Sequence, residues 1–290
     1  MTVSMVNKVC LVTGGTRGLG QATALKLVEL GAHVIVVARS RTRIDDTLGM
    51  LRAAAERSGA GSAEGIQADL SSMAEVRQAA KQVLKRCDRL DVLVNNVGAA
   101  LMKHQTSPDG YEMTWALNYL GHFLLTYELM GLLKATAVRS GEARVVEVTS
   151  SMCRYASPSF KRFQRSRWYN GVAAYAQSKL AMNMFAAELS RRLMNTGVTV
   201  NSITPGYVRT DISDNSSGVF SLAFRVVNMF SMDLEEGVAP LIWMATEPEL
   251  SGVSGRYYYR FKQREAKPGW TDPSNVANLW RISEQMTGLA

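Results

Sequence analysis

The stretch Thr13-Gly14-Gly15-Thr16-Arg17-Gly18-Leu19-Gly20 constrains the fold of this chain more than any other. Before it, Val9-Cys10-Leu11-Val12 is a short apolar run that reads as a buried strand. After it, Gln21-Ala22-Thr23-Ala24-Leu25-Lys26-Leu27-Val28 is rich in helix formers. A strand therefore turns sharply into a helix, and the turn is built of glycine. Glycine serves where the backbone needs positive φ or a ligand must come close. The first amides of the helix are unpaired and carry the positive end of its dipole, which attracts phosphate. The turn is a nucleotide cradle, with Gly14, Thr16, Arg17, Gly18, Leu19 and Gly20 as its candidate contacts.

The rest of the chain supplies the sheet that such a cradle needs. Strand-like runs alternate with helical patterns, which marks a parallel sheet covered on both faces. Strands are expected at 33–38, 65–68, 91–94, 144–148 and 198–203, with a further one at 255–259. Helices are expected at 41–57, from a cap at Ser71 through Cys87, and at 111–135 and 173–194. The fold class is α/β: a Rossmann-type, doubly wound parallel sheet of about seven strands. No repeat or linker divides it, so residues 1–290 read as a single domain. In such sheets ligands bind beyond the carboxyl ends of the strands.

Composition narrows the class. Hydrophobic residues make up 47% and charged residues 20% of the 290, which suits a globular core. The net charge of +8 fits a positive mouth for an anionic cofactor. Its basic residues are scattered, apart from Lys161-Arg162-Phe163-Gln164-Arg165-Ser166-Arg167, and no nucleic-acid motif accompanies them. Cys10, Cys87 and Cys153 form no even framework, so they read as reduced thiols. No leader or membrane span is expected, and the expected location is cytoplasmic, with peripheral membrane contact allowed. No metal-ligand spacing is found.

Arg39-Ser40-Arg41 follows the second strand. A carboxylate there would grip the ribose 2′-hydroxyl of NAD, whereas an arginine suits a 2′-phosphate. Arg17 can reach the same place. The expected cofactor is therefore NADP(H) rather than NAD, with Arg39 and Ser40 among its contacts. Asp69, followed by Leu70, could accept from the adenine amino group or cap the next helix.

Tyr175-Ala176-Gln177-Ser178-Lys179 lies near the start of an expected helix. The i, i+4 spacing puts phenol and ammonium on one face. A fixed ammonium favours phenolate and is expected to lower the phenol from its usual value near 10.

Taken in order, the cradle, Asn95-Asn96-Val97-Gly98, a serine at the fifth strand end, Tyr175, Lys179 and Pro205-Gly206 resemble the classical short-chain dehydrogenase/reductase family. The resemblance spans about residues 6–255 and is nearest to the retinol dehydrogenase-like branch. It implies an NADP-dependent oxidoreductase with Ser150, Tyr175, Lys179 and Asn118 as catalytic residues, Ser151 being the one-residue alternative to Ser150. Ser150 would hydrogen-bond a carbonyl, Tyr175 would donate its proton, Lys179 would tune Tyr175 and hold ribose, and Asn118 would hold a relay water. Asn96, Gly98, Pro205, Val208 and Thr210 would complete the cofactor site. The resemblance also allows a homodimer.

The substrate side carries three further features. Residues 152–172 form a basic, aromatic insertion that includes Phe160, Phe163, Trp168 and Tyr169. Residues 208–232 stand where the family keeps its substrate loop, and 219–230 are strongly apolar. Residues 260–290 form a tail, with Asp272-Pro273 starting a helix that Gly288 stops; Val276, Leu279, Trp280 and Met286 share its inner face. The expected substrate is a small lipophilic or aromatic carbonyl or alcohol. The rival expectation is a non-catalytic NADP-binding sensor on the same fold. Intact Ser150, Tyr175 and Lys179 argue against it.

Overall fold

The computed structural model describes residues 3–158, 160, 169–206 and 233–290. Its sheet has eight strands in the order β3-β2-β1-β4-β5-β6-β7-β8. Strand β1 (Val9–Thr13) leads into α1 (Gly18–Glu29), β2 (His33–Ala38) into α2 (Arg41–Ser58), and β3 (Ser62–Gln67) into α3 (Met73–Arg86). Then come β4 (Val92–Asn95), α4 (Met113–Trp115), a π-type turn (Ala116–Leu120), and α5 (Gly121–Ser140). The second half holds β5 (Ala143–Val148), a 3-10 turn (Ser151–Tyr155), α6 (Gly171–Arg192), β6 (Val198–Thr204) and α7 (Leu234–Thr246). It closes with β7 (Tyr257–Tyr259), β8 (Lys262–Arg264), α8 (Pro268–Thr271) and α9 (Pro273–Thr287). All pairs are parallel except β7 with β8.

Alternation along each strand feeds two cores. Leu11, Ile35, Leu93, Val145 and Val200 face α3, α5, α6 and α9. Val12, Val36, Val94, Val146 and Ile203 face α1, α2 and α7. Burial on both faces explains why these strands read as unbroken apolar runs.

Three sequence expectations are corrected. The cap of α3 is Ser72, whose hydroxyl accepts from the Glu75 amide at 3.4 Å, not Ser71. Strand β3 begins three residues before the expected Gly65, in a polar segment at the sheet edge. An eighth strand, β8, carries only exposed Lys262, Gln263 and Arg264, so no apolar pattern announced it. In the tail, the Asp272 carboxylate accepts from the amides of Ser274 and Asn275, and Gly288 closes α9 at φ 68. Val276, Leu279 and Trp280 are buried against the body, and Met286 is partly buried.

Candidate active site

The cradle is a set of close approaches that side chains would block. Gly14 has φ +66, and a Cβ there would lie 2.9 Å from Val97 Cγ2. A Cβ on Gly20 would run into the Gly14 carbonyl oxygen and Asn96 Nδ2. Gly18 also takes positive φ, 49. Arg17 stands at the α1 N-cap in extended conformation and offers no side-chain cap, and no acidic residue occupies the first turn. The amides around Gly18, Leu19 and Gly20 are therefore free of a competing carboxylate, which suits an anion. Thr16 and Leu19 are half-buried at the rim.

Thr13, which ends β1, fastens this cradle to β4. Its hydroxyl accepts from the amides of Asn96 at 2.8 Å and Val97 at 3.1 Å, and it lies 2.9 Å from His122 Nε2. Asn96 Nδ2 donates to the Thr13 carbonyl at 2.8 Å. With both hydroxyl lone pairs taken by amides, the Thr13 proton goes to His122, whose Nδ1–H donates to the Asn118 carbonyl at 2.8 Å. Burial holds the His122 ring neutral and pushes it down to about 3. The histidine is thus a satisfied helix residue, and it joins the cradle to Asn118.

On the outer side of the cradle, Arg39 is exposed, and one of its guanidinium nitrogens lies 3.8 Å from Asp69. Asp69 does not cap α3. Its Oδ1 accepts from the amide and hydroxyl of Ser71, at 2.9 and 2.8 Å, closing the turn before the helix. Ser40 caps α2 by accepting from the Arg43 amide, and Arg41 is paired with Asp45 at 2.8 Å. Leu70 is buried in the core, so only its backbone can face a ligand. Its carbonyl sits where a Cβ on Gly121 would have to go.

The chemistry-bearing groups meet at the carboxyl ends of β4 and β5. Asn118 lies within the π-type turn and is fully buried. Its Oδ1 accepts from the Ala99 amide at 2.9 Å, and its Nδ2 donates to the Ala99 carbonyl and the Ser178 hydroxyl, both at 3.0 Å. Lys179 is buried and donates to the Val148 carbonyl at 2.9 Å. A Cβ on Gly98 would stand 3.1 Å from the Lys179 ammonium, so any side chain there would press on the lysine's end. Lys179 Nζ lies 6.0 Å from the Tyr175 ring centroid. Ser150 caps the 3-10 turn, accepting from the Met152 amide at 3.3 Å, and its hydroxyl also hydrogen-bonds the Tyr175 phenol.

The expected lowering of the Tyr175 phenol is not what the structure gives. Burial dominates and pushes the phenol up, opposed by the Ser150 hydrogen bond. Lys179 is itself lowered, first by burial, with Glu147 opposing. In the interior, desolvation outweighs the ion–phenol attraction that spacing alone suggested.

Sequence reasoning passed over Glu147 and gave Asn95 no role beyond its place in the Asn95–Gly98 motif. Both are fully buried, and Asn95 Nδ2 donates to Glu147 Oε1 at 2.6 Å. Glu147 sits inside an apolar strand run, where a lone carboxylate gives no periodic signal. Pro205 is buried beyond β6, and Gly206 takes φ +115. Val208, Thr210 and the apolar stretch 219–230 lie outside the described residues, as do Phe163 and Trp168 of the insertion. Phe160 of the insertion packs on Trp115 at 5.4 Å, and the Tyr169 hydroxyl lies 2.8 Å from the Leu101 carbonyl. The tail meets the same segment through Lys267, which donates to the Arg154 carbonyl.

A strand–glycine–helix cradle beside a buried lysine and a tyrosine–serine pair defines a dinucleotide-fold oxidoreductase. The short chain dehydrogenase family model matches residues 8–218, and the chain belongs to that family. It falls in the classical, retinol dehydrogenase-like branch. Human retinol dehydrogenase 14 is 40% identical, over 98% of this chain and 88% of its own length. Human polyprenol dehydrogenase is 35% identical, over 98% and 86%. Among solved structures, the RhlG/NADP active-site complex of Pseudomonas aeruginosa superposes with a TM-score of 0.68 at 28% identity, covering 89% of this chain and 96% of that one. Among the described residues, no helix is long and apolar enough to cross a membrane.

Proposed function

We propose that this chain transfers hydride between NADP(H) and a carbonyl or alcohol on a lipophilic or aromatic substrate, with carbonyl reduction favoured. The observation that carries the reading is the meeting of Lys179, Asn118, Gly98 and the Tyr175–Ser150 pair at one end of the sheet. Bound there, the nicotinamide supplies the hydride. Ser150 and Tyr175 hydrogen-bond the substrate oxygen, and the Tyr175 phenol donates its proton to it. Lys179 holds the ribose and supplies positive charge beneath the phenol. Asn118, locked by Ala99 and Ser178, fixes the helix turn beside Lys179. The glycines of the cradle and the α1 N-terminus take the pyrophosphate.

Two arginines support the NADP preference. Arg39 is exposed and, among the described residues, held only by a long contact to Asp69, which leaves its guanidinium able to fork onto a 2′-phosphate. Arg17 stands exposed at the entrance of α1. Substrate lipophilicity is supported by the relatives, which are named for retinol and polyprenol, and by the apolar composition of 219–230. We place residues 1–290 in one catalytic domain, with 152–172 and 260–290 on its substrate side.

The test is NADPH and NADH consumption across lipophilic aldehydes, ketones and quinones. Turnover with NADPH, lost in Tyr175→Phe, supports the reading. Tight NADPH binding with silence across the panel would favour the sensor instead.

A further inference from the structure

Below the reacting end of the sheet lies a buried polar row. Asn95, Glu147, Ser202 and Tyr257 are successive register partners on β4, β5, β6 and β7. Glu147 has no exposure at all. Its Oε1 accepts from Asn95, and its Oε2 has no hydrogen-bond partner among the described residues. An ionised carboxylate so placed would be very costly without a cation nearby. The cation beside it is Lys179, which makes no direct ion pair with the carboxylate but donates to the carbonyl of Val148, the residue next to Glu147. Burial pushes the Glu147 carboxyl up and the Lys179 ammonium down, and each charge opposes the shift of the other through space.

Burial disfavours the charged form of each of the other titratable groups around this pair. His122 on α5 is held neutral by burial. Tyr119 on the π-type turn and Tyr257 on β7 are pushed up by burial, as is the Cys153 thiol on the 3-10 turn. Tyr175 on α6 is raised as well. The remaining neighbours are neutral: Thr126 on α5, which accepts from Asn95, and Asn183 on α6, which accepts from Ser202.

We propose that Glu147 is a positioning residue that keeps Lys179 cationic: the buried carboxyl gives up its proton as pH rises so that the lysine does not. Two coupled groups titrate as a pair. Losing the first proton from Glu147 leaves a neutral carboxylate–ammonium pair in the interior. Losing it from Lys179 leaves an acid beside an amine, without the charge that the tyrosine and ribose require. The inference rests on the proposed function only for what Lys179 does, not for the coupling itself.

The first measurement needs no cofactor or substrate. Thermal unfolding at alkaline pH is recorded for the natural chain, Glu147→Gln, Lys179→Met and the double variant. Gln at 147 retains the acceptor for Asn95 and cannot ionise, while its amide NH2 takes the place of Oε2. Lys179→Met should lower Tm by about 2–4 °C more in the natural background than in the Gln background, because only the former leaves a buried carboxylate without its cation. Additive shifts would overturn the proposal. Should Glu147→Gln not fold, Glu147→Met completes the same cycle. The second measurement is the alkaline limb of kcat/KM for NADPH oxidation with retinaldehyde. It should move down by about one pH unit in Glu147→Gln while the acid side holds. An unmoved limb also overturns the proposal. A non-additive thermal cycle with no turnover of any aldehyde, ketone or quinone of the panel by the natural chain would sink the enzymatic reading and leave the pair standing.

Discussion

The two halves of the sheet end make their sites by opposite means. The half at β1, β2 and α1 works by omission: glycines where a Cβ would collide, a helix entrance without a cap, and arginines left in solvent. The half at β4, β5 and α6 works by enclosure: Asn118, Glu147 and Lys179 are all buried, and each is tied by short hydrogen bonds. A site made by omission binds a large anion through backbone and solvent-exposed charge. A site made by enclosure perturbs protonation, because burial acts on every titratable group within it. His122 forms the seam, with one ring nitrogen toward Thr13 of the first half and the other toward Asn118 of the second.

The sharpest separation of the halves is Tyr175→Phe. Removing the phenol should lower kcat by about 10²–10⁴-fold while leaving NADPH affinity within a few-fold, if the phenol acts on the substrate oxygen as proposed. Stopped-flow turnover and a fluorescence titration of NADPH check it. Equal losses in both would mean that the enclosed half also carries the cofactor affinity.

The seam has its own pH signature. Burial depresses His122 from its usual 6.5 to about 3 in the folded chain. Below 6.5 the unfolded chain takes up a proton that the folded chain refuses. The stability this histidine contributes is therefore present above 6.5 and is lost as pH falls toward 3. The loss should approach about 5 kcal/mol once pH is below both values. His122→Gln, which cannot be protonated, should show a flatter acid profile in denaturant titrations; parallel profiles would mean the ring is not held neutral.

Adding one methyl tests the half made by omission. Gly20→Ala should cost about 1–3 kcal/mol of stability by overpacking. NADPH binding should weaken with it, because the new Cβ displaces the Gly14 carbonyl or the Asn96 amide. Calorimetry of the folded variant reads both effects.

This half was also the more legible in the sequence. Glycine spacing reports backbone geometry directly, so residues 13–20 announced the cradle with its bounding strand and helix. Tyr175 and Lys179 were readable because a helix converts a spacing of four into a shared face. The enclosed half was only partly legible. In a parallel strand buried on both faces, Arg144-Val145-Val146-Glu147-Val148 carries no alternation to mark which residue meets which neighbour. The role of Glu147 depends on Asn95 and Lys179, which are distant in sequence. The shift of Tyr175 was misjudged for the same reason: spacing shows a neighbouring charge but not the loss of water. Adjacent serines at 71 and 72 left the cap of α3 undecidable by pattern. Edge strand β8 had no apolar residue to reveal it.

The smallest effects distinguish the two arginines that flank Ser40. Arg39→Asp should reverse the cofactor preference, costing about tenfold in NADPH affinity, or about 1.4 kcal/mol, while NADH binding improves. Arg41 differs in its surroundings: its guanidinium already pairs with Asp45 one helical turn away, and both side chains are exposed. Such a pair is worth about 0–1 kcal/mol, and breaking it changes little. Arg41→Ala should therefore leave both the NADPH-to-NADH affinity ratio and Tm nearly unchanged. If its ratio fell as far as that of Arg39→Asp, the 2′-phosphate would be read from the start of α2 rather than from the end of β2. The exposed charge at Arg39 would then be no more than a partner of Asp69.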